Sequence, residues 1–484
     1  MGETFSRIVC FPGIFIATKT LMSDTSEAIR SKMQEKGVME SAIKAFERAR
    51  SLVEKGGKGG LSEKEIVQAV GVTDYEELGR QDSMDPALLA QTVVIKLNGG
   101  LGTGMGLEKV KSLLEVRPGV AFLDLMSRQI LSLRKETGSD VRFLLMNSQA
   151  SSQDTQEYLA TNVPEIGDPA QLELMQNWVP KLRQDDLSPV NFSANTDLEW
   201  CPPGHADVYP SLAGSGWLDK LLADGVKYAF ISNSDNLGAV LDATLLSHFS
   251  KNNAPFLMEV TRRTDADRKG GHLATRIADS RLILREIAQC PAEDLENFQN
   301  IDKHQYFNTN NIWVNLETLK SVMGASEGVL PLPVIVNKKT VDPRDSKSTL
   351  VYQLEQAMGS AIECFEGAAA VNVPRSRFAP VKTTGDLFAL RSDAYEVSED
   401  GRVRLENSRN GVPPVIDLSS EYKLVDGLSS LGTPSLIDAK KISVKGPMSF
   451  EPGVVIKGEV SFLNNSPEAK TIAPGTYEST SVSL

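Results

Sequence analysis

Between Lys96 and Lys111 the sequence reads KLNGGLGTGMGLEKVK, with glycine at 99, 100, 102, 104 and 106 and lysine at 109 and 111. Residues without side chains let backbone N–H groups come close to a ligand, and lysines at the exit add positive charge, so the stretch suits phosphate. One residue excludes the two familiar phosphate loops. A Walker A loop needs lysine straight after its last glycine; Gly99 and Gly104 have the spacing, but Met105 occupies that place. A dinucleotide GxGxxG frame opened at Gly100 meets Met105 again, and the frames further along also lack their third glycine. A glycine-rich turn of a third kind remains, whose backbone could hold a base edge and phosphate oxygens beside its lysines; a flexible connection with solvated lysines is the alternative, which five glycines beside a buried strand disfavour.

Other residues could share that chemistry. Asp235 in SNSDN follows the apolar run YAFIS, where a carboxylate fits a divalent-cation ligand and a turn cap equally well. Lys382 follows another apolar segment in FAPVKT, and His205 closes PPGH, where residue type alone favours a structural histidine. Four cysteines (Cys10, Cys201, Cys290, Cys364) form no CxxC, and the four histidines form no HExxH, which argues against a zinc site and a disulfide framework. This cysteine usage fits a reducing compartment, with the cytoplasm as the expected location. A peroxisome-type organelle has only the terminal VSL, a poor relative of SKL, to support it.

The elements that must position these residues are legible as alternation. TVVIKL (92–97), VRFLLMN (141–147), YAFIS (228–232) and FLMEV (256–260) read as buried strands. FLDLMSRQILSLRKE (122–136) and LDATLLSHFSK (241–251) read as intervening helices. The alternation predicts an α/β fold with a parallel sheet covered on both faces, whose ligands bind at the carboxyl ends of strands, where the glycine loop and NSDN stand. Ahead of it, 24–55 reads as helix through Ala42, Phe46, Ala49, Leu52 and Val53, with a capping box at Ser62 and Glu65 after GGKGG. Behind it, VKGPMSF (444–450) recurs as IKGEVSF (456–462), with Val444, Phe450, Ile456 and Phe462 six apart. That spacing suggests a hexapeptide β-helix, with a meandering β-sheet as the alternative. RIVCFPGIFIA (7–17) is too short to span a bilayer and reads as part of a disordered leader or a targeting segment. The expected division is a leader over 1–23, a helical segment over 24–87, a catalytic domain over 88–388 and a C-terminal domain over 389–484.

The chain has 484 residues and a net charge of −12, which suits several domains and argues against nucleic acid or an anionic membrane as partner. A small anionic ligand in a locally basic pocket remains open.

From LNGGLGTGMGL onward the sequence resembles the UTP–glucose-1-phosphate uridylyltransferases (UDP-glucose pyrophosphorylases). The likeness continues through LMQNWVPK (174–181), WCPPGHADVY (200–209), SNSDNLGA (232–239), RKGGHL (268–273), LREIAQCP (284–291), FNTNNIW (307–313), LPLPVIVN (330–337) and RSRFAPVKTTGDL (375–387), covering roughly 88–460. It implies a Rossmann-like, GT-A-like nucleotidyltransferase domain, a small helical N-terminal segment and a C-terminal left-handed β-helix. It also implies uridylyl transfer from UTP to glucose 1-phosphate with Mg²⁺, giving UDP-glucose and pyrophosphate, in a monomer or a form that self-associates through the C-terminal domain.

By this resemblance Lys111, rather than Lys109, handles the leaving pyrophosphate; Asp235 binds the metal; and Lys382 reaches the α-phosphate from the far side. His205 contacts the sugar phosphate, though Ala206 stands where many relatives have glycine. Base recognition falls to Gln176 and the backbone of Leu97, Asn98, Gly99, Gly100 and Gly204, and Asn233 matches a position that contacts the sugar or the ribose. Glucose falls to Gly271, Glu286, Asn308 and Asn310. A pyrophosphorylase for another UDP-sugar and a non-catalytic scaffold are the alternatives. Gly104 favours glucose over the first, and retention of Lys111, Asp235 and Lys382 argues against the second.

Overall fold

The computed structural model describes residues 25–56 and 60–484; the expected leader and the middle of GGKGG lie outside the described residues. The stretch expected as one helix is two, α1 (25–35) and α2 (Glu40–Glu54), with Gly37 in the left-handed region (φ 78°) between them. Ala42, Phe46 and Ala49 are buried as their spacing predicts, Phe46 and Ala49 in a small core with Val179, Leu182 and Trp200. Ser62 and Glu65 do form a capping box, but it caps a single 3-10 turn that runs into β1 (Ile66–Gln68) and then β2 (Thr73–Asp74). The segment 24–87 is therefore only partly helical, because its second half contributes strands to the main sheet.

The other strands of that sheet are β3 (Thr92–Asn98), β4 (Arg142–Asn147), β5 (Glu173–Met175), β6 (Tyr228–Asn233), β7 (Phe256–Arg262), β8 (His272–Arg276), β9 (Leu282–Arg285), β10 (Tyr306–Asn315) and β11 (Ala369–Asn372). Among the described residues the sheet has eleven strands, in the order β2-β11-β7-β10-β6-β3-β4-β5, with β8 joining β10 and carrying β1 and β9. Helices α3 (Phe122–Thr137) and α4 (Gln149–Asn162) make the crossovers between the parallel neighbours β3, β4 and β5, and α5 (Ala243–Lys251) leads from β6 to β7 on the far side of β10.

The sheet is mixed, which corrects the expectation of a parallel one. Strand β10 runs antiparallel to both β6 and β7. Between β7 and β10 the chain makes the β8–β9 hairpin, single 3-10 turns and one short α-helix, Leu295–Gln299, so β10 returns against its neighbours.

Strand β3 lies at the centre, every residue buried, paired in parallel with β4 and β6. Val93, Ile95 and Leu97 enter one core and Val94 the other, as a period of two dictates. Lys96 points to the Val94 side and is 3% exposed, a cation in an apolar layer.

The C-terminal strands are β12 (Val415–Leu418), β13 (Ser435–Lys445), β14 (Met448–Phe450), β15 (Val454–Leu463), β16 (Lys470–Ile472), β17 (Gly475–Glu478) and β18 (Ser481–Ser483). The expected left-handed β-helix is corrected. Strands β12, β13, β15, β17 and β18 form a five-stranded parallel sheet and β14 with β16 a separate pair, preceded by the antiparallel hairpin Tyr395–Val397 and Val403–Leu405. Two repeat units are fewer than the three or so that a stacked coil needs to bury its own face. The six-residue spacing instead marks burial: Val444, Phe450, Ile456 and Phe462 join the same apolar core as Val94, Phe122 and Phe230.

Candidate active site

The glycine loop leaves the carboxyl end of β3 and closes on itself, the Lys111 N–H donating to Gly100 O at 3.0 Å. Gly102 and Gly106 take the left-handed region (φ 67° and 78°), a conformation that side chains disfavour. A Cβ on Gly106 would lie 3.1 Å from Leu424 of the C-terminal part, so the loop rests against that region. The loop leaves Lys109 exposed and turns Lys111 inward. Lys111 Nζ meets Asp235 Oδ2 at 2.8 Å, joining the loop after β3 to the turn after β6. Asp235 Oδ1 is buried and accepts no hydrogen bond. Asn233 ends β6 opposite Leu97 in the parallel register, beside this pair.

On the other side of the loop, Gly99 packs so closely on Gln176 that a Cβ would come 2.8 Å from its Oε1. Gln176 Nε2 donates to Gly204 O at 3.3 Å, which brings three of the expected base-binding residues together. Gly204 has φ 86°, and a Cβ there would lie 2.5 Å from Gln356 O. The Asn98 side chain turns away, donating to Asn147 and Thr155, so only its backbone belongs to the site. His205 Nδ1 accepts from the Met358 N–H at 2.9 Å. Burial, aided by the Lys382 charge, lowers its pKa to about 4, so the ring is neutral with its proton on Nε2.

The remaining residues gather where β7, β8 and β10 meet. The β7–β10 register slips so that Glu259 faces Asn311 and Val260 faces Asn308, leaving Thr309 and Asn310 unpaired. This bulge holds Asn310 at φ 57°, and Asn308 Nδ2 donates to Asn310 Oδ1 at 2.9 Å. A Cβ on Gly271 would lie 2.5 Å from Glu286 Oε1, so only glycine lets the carboxyl approach. Burial raises the Glu286 pKa and nearby Lys382 opposes the shift. Lys382 is exposed and joins the group through the backbone, since the adjacent Val381 N–H donates to Asp235 O at 3.0 Å. It lines a cleft with Phe307, Phe378 and Arg375, to which Pro413 and Ile416 also contribute.

Sequence reasoning missed the buried layer underneath. Lys96 Nζ donates to Ser232 Oγ at 2.9 Å and to Ala239 O at 2.5 Å, and burial lowers its pKa to about 7. Arg377 forms two 2.7 Å bonds to Glu259. A charge inside an apolar strand was the available signal: Lys96 within VVIKL and Glu259 within FLMEV.

Comparison with known proteins gives the same direction. The family model for UTP–glucose-1-phosphate uridylyltransferase matches residues 43–457. The chain belongs to that family. It is 43% identical to the UTP–glucose-1-phosphate uridylyltransferase of Hordeum vulgare over 382 residues, 78% of each chain. Against the Saccharomyces cerevisiae uridylyltransferase it is 40% identical over 395 residues, 80% of this chain and 77% of the relative. A crystal structure of a Leishmania major UDP-glucose pyrophosphorylase mutant in complex with UDP-glucose superposes with TM-score 0.88 at 44% identity, covering 95% of this chain and 99% of that one. The Trypanosoma brucei structure gives 0.86 at 48%, with 95% and 100% covered. The shared uridylyltransferase architecture is the α/β fold on the large mixed sheet; the likeness lends no support to a left-handed β-helix.

Proposed function

We infer that this uridylyltransferase moves the uridylyl group of UTP onto glucose 1-phosphate, releasing pyrophosphate and giving UDP-glucose. The observation that carries the reading is the 2.8 Å meeting of Lys111 and Asp235 at the mouth of a glycine turn, in a chain of this family. The sugar-phosphate oxygen attacks the α-phosphorus in line as the bond to pyrophosphate breaks. Such chemistry needs position and charge rather than a protein nucleophile.

Uracil would pair with Gln176, whose amide both donates and accepts, while the backbone of Leu97, Asn98, Gly99, Gly100 and Gly204 encloses base and ribose and Asn233 reaches the ribose. Lys111 would neutralise the departing pyrophosphate, and Lys382 would hold the α-phosphate from the opposite side. His205, with Nδ1 occupied, would offer Nε2–H to the sugar phosphate. Gly271, Glu286, Asn308 and Asn310 would hold the glucose hydroxyls. Asp235 would hold Mg²⁺ through Oδ1, a buried oxygen without a partner, and the bound ion would supply positive charge at the α-phosphate.

Pyrophosphate release from UTP is the assay, run with glucose, galactose and N-acetylglucosamine 1-phosphates. Glucose 1-phosphate is expected to be turned over best; a clear preference for another sugar overturns the substrate. Lys111→Ala should lower kcat by about 10²–10³-fold, the range for removing one charge-stabilising donor. Its melting temperature should stay near that of the parent, and unchanged turnover would remove Lys111 from the mechanism.

A further inference from the structure

The two loops that carry Asp235 and Lys382 come from parts of the chain far apart in sequence, and a single buried side chain lies between them. Asn236 is 1% exposed. Its Nδ2 donates to Asn311 Oδ1 at 3.2 Å and to Arg377 O at 3.0 Å, and its Oδ1 accepts from the Ala379 N–H at 3.0 Å. An antiparallel bridge pairs Asn236 with Pro380, and the next N–H, of Val381, donates to Asp235 O. The segment 377–381 is thus held to the Asp235 turn as a short added strand, ending at Lys382.

The layer below makes the clamp rigid. Glu259, 0% exposed, takes two bonds from the Arg377 guanidinium, one from Asn311 Nδ2 at 3.1 Å and one from Trp313 Nε1 at 2.9 Å. Arg377 Nη2 also donates to Val240 O at 3.0 Å, four residues beyond Asn236. A Cβ on Gly238 would lie 2.2 Å from Ser376 O, so the two segments touch along their length. The Asn236 amide donates to Arg377 O and to Asn311 of β10 and accepts from the Ala379 N–H, so its bonds are all internal.

We propose that Asn236 is a positioning residue for uridylyl transfer, fixing the Lys382 segment on the Asp235 turn and so setting where the Lys382 ammonium stands relative to the metal carboxylate. The proposal rests on the roles assigned above to Asp235 and Lys382. A purely structural asparagine would lower activity by the same factor whether or not Lys382 is present. One that acts through Lys382 loses its effect once that lysine is gone.

The test is a double-mutant cycle on the full chain, with kcat and KM for UTP measured for Asn236→Ala, Lys382→Ala and the double variant. Asn236→Ala should lower kcat by about thirtyfold with KM for UTP within about threefold, and cost less than about threefold in the Lys382→Ala background, as coupled neighbours do. Equal losses in both backgrounds, with Lys382→Ala itself impaired, would overturn the proposal alone. Full activity of Lys382→Ala would overturn both the proposal and the role of that lysine. Melting curves check folding, and Asn236→Ser, which keeps a hydroxyl near the Ala379 N–H, takes the same place in the cycle should the alanine variant fail to fold.

Discussion

His205 shows how far a single ring can be specified by what surrounds it. Its Nδ1 is taken by the Met358 amide, and burial together with Lys382 keeps the ring from accepting a second proton above about pH 4. The sign follows from linkage: the unfolded chain binds a proton near 6.5, so this group's contribution to stability is present above that value and is lost as pH falls from 6.5 to about 4. Replacing His205 with Gln should therefore flatten the fall in melting temperature between pH 6.5 and 4, and kcat/KM for glucose 1-phosphate should show no histidine titration between about pH 6 and 8. A histidine pKa near 6.5 by NMR would contradict the neutral tautomer. Residue type alone favoured a structural histidine, and the Met358 contact, 153 residues away, is what orients the ring. Asn236 was equally hidden, since its partners lie 75 and 141 residues along the chain. Lys96 and Glu259 were legible in principle, because a charge inside an apolar strand demands a partner.

At the scale of elements, sequence pattern identified strands that do run parallel, but not the one that reverses among them. β3, β4, β6 and β7 were read from apolar runs, and α3 and α5 from their helical spacing. β10 was not, because FNTNNIW mixes asparagines with apolar residues, and a two-residue period does not say which way a strand runs. Its bulge, which presents Asn310, is a register slip that exists only in the pairing with β7. The glycines are different: close approach can be argued from the residue itself. Gly204 combines φ 86° with a backbone carbonyl 2.5 Å from where a Cβ would sit. Gly204→Ala should cost about 2 kcal/mol or more, from left-handed strain plus displacement of the Gln356 backbone. A denaturant midpoint unchanged from the parent would show that this turn relaxes freely.

For the whole molecule, a net charge of −12 coexists with cations at the site, Lys111 on Asp235 and the exposed Lys382, so the overall sign says little about the pocket. The expected boundary near residue 388 is not a gap in packing. Tyr422, Ile442 and Phe462 share one apolar core with Phe122 and Phe230, so C-terminal residues and the main sheet are buried together. The repeat was detected correctly as a periodicity and misread as a stacked coil, because spacing reports which residues are buried without saying against what. The contact of Gly106 with Leu424 crosses this same border. Thermodynamic reciprocity then applies: whatever free energy nucleotide binding gives to ordering the glycine loop against Leu424, docking of the C-terminal part returns as nucleotide affinity. Leu424→Ala should weaken UTP binding by about fivefold, the low end of typical couplings, with titration calorimetry as the measurement. An unchanged affinity would mean that the contact is passive. On this account the loop is an exchange point, where the seating of the segment around Leu424 is read out as the strength with which a nucleotide is held.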